Sequence, residues 1–112
     1  MPSPSSTIAP ATALALDSLV TPTEHGIASR VLAKTSGGSL TLFAFDTGEE
    51  LSEHSSPFEA LVLVLEGTLR LTIGGDSVLA QPGSIVRMAN VPHAVEAVDA
   101  ARMLLVLLLE RR

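Results

Sequence analysis

Alternation of apolar and polar residues with a period of two constrains this chain more than any other feature of its sequence. Leu69, Leu71 and Ile73 alternate with Thr and Arg residues, which is typical of a strand that has one buried and one solvated face. The segment SLTLFAFD at 39–46 has the same period, with its two phenylalanines on one face and its two leucines on the other. Short turns that contain Gly or Pro separate such segments, so the sequence predicts an all-β sandwich or barrel.

The length of 112 residues fits a single domain with one hydrophobic core. We expect a loose N-terminal arm over residues 1–20, because its first residues are rich in Pro, Ser and Thr. One barrel domain should then occupy residues 21–112. No segment after residue 20 has a convincing amphipathic helical pattern, so strands and turns are expected throughout the barrel.

The composition excludes several classes of protein. The chain has no cysteine, which rules out disulfides and thiolate metal sites. A net charge of -5 argues against nucleic acid as a partner, because such binding needs clustered Lys and Arg to neutralise phosphates. The longest apolar runs, 60–65 and 103–109, are far shorter than the ~20 residues that span a bilayer. We therefore expect a cytoplasmic protein with no membrane partner.

The same two runs, ALVLVL at 60–65 and MLLVLLL at 103–109, have no polar face. Both sides of each strand should therefore be covered, one by the core and the other by another sheet or another subunit. A homodimer is one prediction from this pattern. The alternative is that the second sheet of the barrel and the N-terminal arm provide the cover.

A motif of spaced residues lies in the first half of the chain. Gly48 is followed after five residues by His54, then by Ser56 and Ala60, and the segment closes at Gly67. This order resembles the first motif of the cupin superfamily, written G-x5-H-x-H-x3,4-E-x6-G. The glycines and the first histidine are in register with that motif.

A second motif follows in PGSIVRMANVPHAVEA at 82–97. Gly83, Met88, Asn90 and His93 stand at positions similar to those of the second cupin motif, G-x5-P-x-G-x2-H-x3-N, with one residue fewer between Gly83 and the histidine. The resemblance to small single-domain, RmlC-like cupins covers about residues 25–110. It implies a double-stranded β-helix, that is, a jelly-roll β-barrel, which is commonly dimeric and has its ligand cavity at one mouth.

The resemblance also implies a metal site, which cupins build from two motif-one histidines, a motif-one glutamate and a motif-two histidine. Carried over by position, His54 and His93 match the first and last ligands, while Ser56 and Ala60 stand where the family has the other two. Neither a serine hydroxyl nor an alanine is a good replacement for imidazole or carboxylate. Glu59 lies one residue early, so strand alternation should send it to the opposite face unless a β-bulge intervenes. The expected cofactor is therefore either none or one divalent transition metal held by His54 and His93.

Four residues are candidates for lining the cavity or binding a ligand: His54, Ser56, His93 and Arg87. Each also has a plainer interpretation, since a barrel histidine is often only hydrogen-bonded and a strand arginine is often only solvated. The sequence assigns no catalytic residue. Three functions remain open: a metal-free cupin that binds a small molecule in the barrel, a metal-dependent dioxygenase or isomerase that uses His54 and His93, and a non-catalytic dimeric module.

Overall fold

A computed structural model describes residues 7–54 and 58–109 of the chain, in which one 3-10 turn, Leu16–Ser18, precedes nine strands. Within these ranges no helix is long and apolar enough to cross a membrane. The strands are β1 (Ile27–Thr35), β2 (Gly38–Phe45), β3 (Glu50–His54), β4 (Phe58–Glu66), β5 (Leu69–Ile73), β6 (Asp76–Ala80), β7 (Ile85–Arg87), β8 (His93–Ala97) and β9 (Ala101–Leu109).

The strands form two antiparallel sheets, one of five strands in the order β1-β2-β9-β4-β7 and one of four in the order β3-β8-β5-β6. The chain crosses between the sheets repeatedly, so strands that are neighbours in sequence often lie in different sheets. This double-sheet arrangement confirms the predicted all-β jelly-roll barrel. It places β9 in the middle of the larger sheet, between β2 and β4.

The core lies between the sheets and follows the predicted alternation. In β5, Leu69 and Leu71 are fully buried while Arg70 between them is exposed. Burial of each Leu or Val side chain stabilises the fold by about 1.5–3 kcal/mol relative to exposure. The buried cluster consists of Phe45, Ala60, Val62, Val64, Leu69, Leu71, Ala80, Met88, Val95, Ala97, Ala101 and Met103.

Both faces of β2 are covered, but by different parts of the chain. Phe45 belongs to the core and Phe43 packs against it, with 6.1 Å between their ring centroids. Leu42 and Ala44 point away from that cluster and are nevertheless only 0% and 2% exposed. Other residues on the outer side of the five-stranded sheet must therefore shield Leu42 and Ala44 from water.

The segment that precedes β1 lies along this outer side. The Ile8 backbone N–H donates to the Leu32 carbonyl over 2.9 Å. The guanidinium of Arg30, a residue paired with Leu42 across the strands, donates to the Leu19 carbonyl over 3.3 Å. Arg102 of β9 donates to the Val20 carbonyl over 3.1 Å. Residues 8–20 thus contact β1 and β9, while the division of the chain at residue 20 stays a prediction.

The turn between β4 and β5 depends on the glycine that ends the first motif. Gly67 has a φ of +71°, a left-handed conformation that side chains other than glycine rarely adopt. A Cβ atom built on Gly67 would lie 2.1 Å from the carbonyl oxygen of Ala100. Two independent constraints, the backbone conformation and the close approach of another turn, therefore require glycine here.

Replacing Gly67 should cost more stability than replacing a glycine that has only the first constraint. Gly75 in the turn between β5 and β6 has a φ of +93°, and a Cβ there would meet no atom within 4 Å. We expect Gly67→Ala to lower the free energy of unfolding by about 3 kcal/mol or more, and Gly75→Ala by about 1 kcal/mol. Urea denaturation of both variants measures the difference, and equal losses would contradict the close-approach argument.

Candidate functional site

The pairing of β3 with β8 brings the two motif histidines together. His54, at the end of β3, is the Cα partner of His93, at the start of β8. Such partners in an antiparallel pair lie about 4.5–5.5 Å apart. The other neighbour of His93 is Ile73, its Cα partner on β5. Two residues 39 positions apart in sequence therefore meet at one end of the four-stranded sheet.

His93 is the single polar or charged side chain among the buried residues of the described chain, with 3% exposure. Its ring Nδ1 lies 2.8 Å from the backbone carbonyl oxygen of Val91. Because a carbonyl only accepts hydrogen bonds, Nδ1 must carry the proton and donate it. In the neutral ring Nε2 is then the unprotonated nitrogen, which can accept a hydrogen bond or bind a metal. The local chain thus fixes the tautomer of His93.

Apolar groups dominate the interior that His93 shares. Ala60 of β4 is fully buried, and its carbonyl accepts the Met88 backbone N–H over 2.7 Å. Val95, two residues after His93 on the same strand, also belongs to the core cluster. In such surroundings a hydrogen bond is electrostatically stronger than in water.

The described residues do not fit the complete four-ligand set that the resemblance implies. Ala60 occupies the glutamate position with no exposed surface and no ligating atom. Ser56 lies outside the described residues. Over residues 7–54 and 58–109, no three His, Asp or Glu side chains come together in a group able to hold a metal ion. His54 and His93 are the two matching positions, and the structure pairs their backbones.

Glu59 and Arg87 lie on the outer face of the five-stranded sheet. Glu59 precedes the buried Ala60, and Arg87 follows Val86, which packs against the core, so strand alternation turns both outward. The Arg87 Nε and Nη2 atoms donate to Glu59 Oε2 over 2.8 and 2.7 Å. The structure therefore brings Arg87 to Glu59 and does not bring it to His93.

The role of the Val91 carbonyl, which accepts the hydrogen bond from His93 Nδ1, was not predicted from the sequence. The tripeptide Val91-Pro92-His93 could have indicated this role, because a residue before proline is restricted to extended conformations. Met88, at the family's proline position, is 1% exposed and belongs to the core cluster. The next residue, Ala89, has a φ of +56°, which marks a sharp change of direction between β7 and the segment that carries Val91.

Two of the surface clefts formed by described residues do not include His93. One, of about 300 Å³, is at the end of the β1–β2 hairpin beside Lys34, Gly38 and Leu107. The other, of about 80 Å³, lies between Pro22 and the start of β9. The candidate site is thus defined by the histidine pair rather than by these clefts.

Comparison with known proteins supports the family assignment. The cupin domain family matches residues 41–108, which is more than half of the chain. A conserved protein of unknown function from Streptococcus pyogenes is 34% identical, with 95% of this chain and 94% of that one covered and a TM-score of 0.87. A cupin superfamily protein from Desulfitobacterium hafniense is 26% identical, with 93% and 96% covered and a TM-score of 0.85.

A third similar structure is a cupin 2 conserved barrel domain protein from Leptotrichia buccalis, 33% identical, with 82% of this chain and 45% of that chain covered and a TM-score of 0.78. No curated protein matches the chain. The chain belongs to the cupin family, and one of the proteins that it resembles has no known function.

The Glu59–Arg87 pair should make stability depend on pH in a defined direction. Hydrogen bonds from Arg87 hold the pKa of Glu59 below its ordinary value of 4.5. A lowered folded-state pKa stabilises the fold above the unfolded-state pKa, and that contribution is lost as pH falls through the folded-state pKa. Glu59→Gln should therefore be less stable than the wild type near neutral pH, with a difference that shrinks on acidification.

Urea denaturation at about pH 6 and about pH 3 measures this difference. Arg87→Met provides the control, because adding Glu59→Gln to it should change the pH dependence much less than in the wild type. A Glu59→Gln effect that stays constant between the two pH values would contradict the assignment of the pKa shift to Arg87.

Proposed function

We propose that this cupin binds a small organic molecule at the end of the barrel where His54 and His93 meet, without a complete metal site. The observation that carries the proposal is His93 itself: a buried imidazole with its tautomer fixed by the Val91 carbonyl, in an interior whose other described buried side chains are apolar. Buried polar groups that converge with apolar walls are characteristic of small-molecule sites.

The chemistry of His93 indicates the class of ligand. In the neutral ring, Nε2 accepts a hydrogen bond from a hydroxyl or an N–H group, and in the protonated ring it donates to an anionic oxygen. Apolar neighbours such as Ile73 and Val95 favour a ligand whose remaining surface is largely apolar. A small molecule with one hydroxyl or acidic group fits both requirements, and His93 is then also positioned to move a proton as an acid-base catalyst.

The metal-dependent alternative is a dioxygenase or isomerase in which His54 and His93 are ligands. The pairing of the two histidine backbones favours it, whereas the buried Ala60 at the glutamate position disfavours it. The two functions differ in one measurable requirement. A metal-dependent enzyme loses function when a chelator removes the metal, and a metal-free binding protein does not.

The test is a thermal-shift screen of small hydroxylated and carboxylated compounds, followed by calorimetric titration of the hits with and without chelator. We expect binding that is insensitive to chelator and weakened about 10- to 100-fold in His93→Ala, because a buried hydrogen bond is lost. His25→Ala is the matched control, since the His25 side chain is 85% exposed on the surface and should leave affinity unchanged.

Binding that disappears with chelator, together with about one metal atom per chain that falls on mutation of His54 or His93, would replace this proposal with the metal-dependent enzyme. Hits whose affinity is the same in His93→Ala as in the wild type would also overturn it. Circular dichroism of each variant confirms that a loss of binding does not come from unfolding.

A further inference from the structure

A cleft that includes neither His54 nor His93 lies at the closed end of the β1–β2 hairpin. Its walls come from residues 33–40 of the hairpin and from Leu107 and Leu108 of β9, and its volume is about 300 Å³. That volume is at the lower end of the range for small-molecule pockets. At the ~30 Å³ that one water molecule occupies in the liquid, this hairpin cleft holds about ten non-hydrogen atoms.

The hairpin cleft depends on a position that carries no side chain. Gly38 is the Cα partner of Thr35 on β1 and of Leu108 on β9. A Cβ atom built on Gly38 would clash with the backbone carbonyl of Leu107. Glycine is therefore required here, and the space between Thr35 and Leu108 stays open.

Backbone contacts hold the walls of the hairpin cleft in place. The Leu109 backbone N–H donates to the Gly37 carbonyl over 2.8 Å, which ties the hairpin to β9. The Gly37 N–H donates to Thr35 Oγ1 over 3.1 Å. Leu107 packs against the core cluster. The cleft is thus formed without a ligand, and a preformed site loses less free energy to ordering when it binds.

Three leucines and two hydroxyls give the hairpin cleft an amphipathic lining. Leu40, Leu107 and Leu108 are the large apolar residues, and Leu108 is 47% exposed. A ligand that covers Leu108 removes apolar surface from water, which favours binding. Because the Thr35 hydroxyl oxygen already accepts the Gly37 N–H, its own proton can be donated to a ligand, and Ser39 supplies a second hydroxyl.

Lys34 is the one lysine in the chain, and it lies in this cleft. Arg70, Arg87 and Arg102 each form a salt bridge with a glutamate. Over residues 7–54 and 58–109, no carboxylate lies within ion-pair distance of Lys34. Its exposed ammonium can therefore bind an anion from solution. A net charge of -5 on the whole chain disfavours an anion with more charge than this one cation neutralises.

We propose that the hairpin cleft binds a small amphipathic monocarboxylate. Its carboxylate accepts hydrogen bonds from the Lys34 ammonium and the Thr35 hydroxyl, and its apolar part covers the three leucines. Hydrogen bonds between an ammonium and a carboxylate are about twice as strong as those between neutral groups, so the cation fixes the orientation of the ligand. The capacity of about ten non-hydrogen atoms matches a straight-chain acid such as octanoate. The site is separate from the proposed ligand site at His93 and does not depend on it.

Calorimetric titration of the full chain with octanoate tests the proposal. We expect a dissociation constant near about 100 µM, weakened about 10-fold or more in Lys34→Gln and largely retained in Lys34→Arg. Arg70→Gln is the matched control, because it changes the net charge by the same amount. Arg70 is exposed on β5 of the other sheet, so this control should leave the affinity for octanoate unchanged.

Two further arms test the apolar wall and the location of the site. Leu108→Ser and the replacement of octanoate by octan-1-ol should each weaken binding about 5-fold or more. In protein labelled with ¹⁵N-lysine the single lysine amide signal should shift on addition of octanoate. No binding at about 2 mM octanoate, or equal affinity in Lys34→Gln and the wild type, overturns the proposal. Binding that is lost in His93→Ala and kept in Lys34→Gln overturns it as well, because octanoate would then occupy the histidine site.

Discussion

The pairing of β9 with both β2 and β4 is the interaction on which the rest of the barrel depends. It joins the two halves of the larger sheet and places Met103 in the core opposite Phe43 and Val64. The same pairing lines up Leu104 with Leu42 and Leu63 on the outer side. A central strand with neighbours on both edges has two faces to cover, which explains why this segment is apolar at nearly every position.

Among the residues that the structure describes, the buried side chains are apolar apart from His93, and this contrast defines the candidate site. His93 is buried on the same face of β8 as Val95, which belongs to the apolar core cluster. The Val91 carbonyl, which lies in the connection just before β8, accepts a hydrogen bond from Nδ1 of His93. The family's metal chemistry needs several such groups to converge, and with Ala60 at the glutamate position the described residues keep the imidazole without the carboxylate. The proposed ligand site rests on this retained imidazole.

Strand parity explains which features could be predicted from the sequence. The burial of Leu69 and Leu71, the two faces of β2 and the outward position of Glu59 all follow from a period of two. The position of Arg87 was harder to predict. β7 has only the three residues IVR, and a strand this short and apolar does not show which of its residues face the core. The hydrogen bonds from Arg30 and Arg102 to the carbonyls of Leu19 and Val20 were also beyond local pattern, because strand periodicity does not encode contacts between separate segments. The pairing of His54 with His93 required the register of β3 and β8, which no periodicity within either strand encodes.

The central position of β9 also has a kinetic consequence. Leu42 and Leu104, which become neighbours across β2 and β9, are 62 residues apart in sequence, and Val62 and Leu105 are 43 apart. Closing such long loops costs entropy before any contact is gained, so barrels of this topology fold in milliseconds to seconds rather than microseconds. During synthesis β2 and β4 emerge from the ribosome before β9 does, and each then has an unpaired apolar edge. The nascent chain is therefore most prone to aggregate before β9, its leucine-rich strand, has been synthesised.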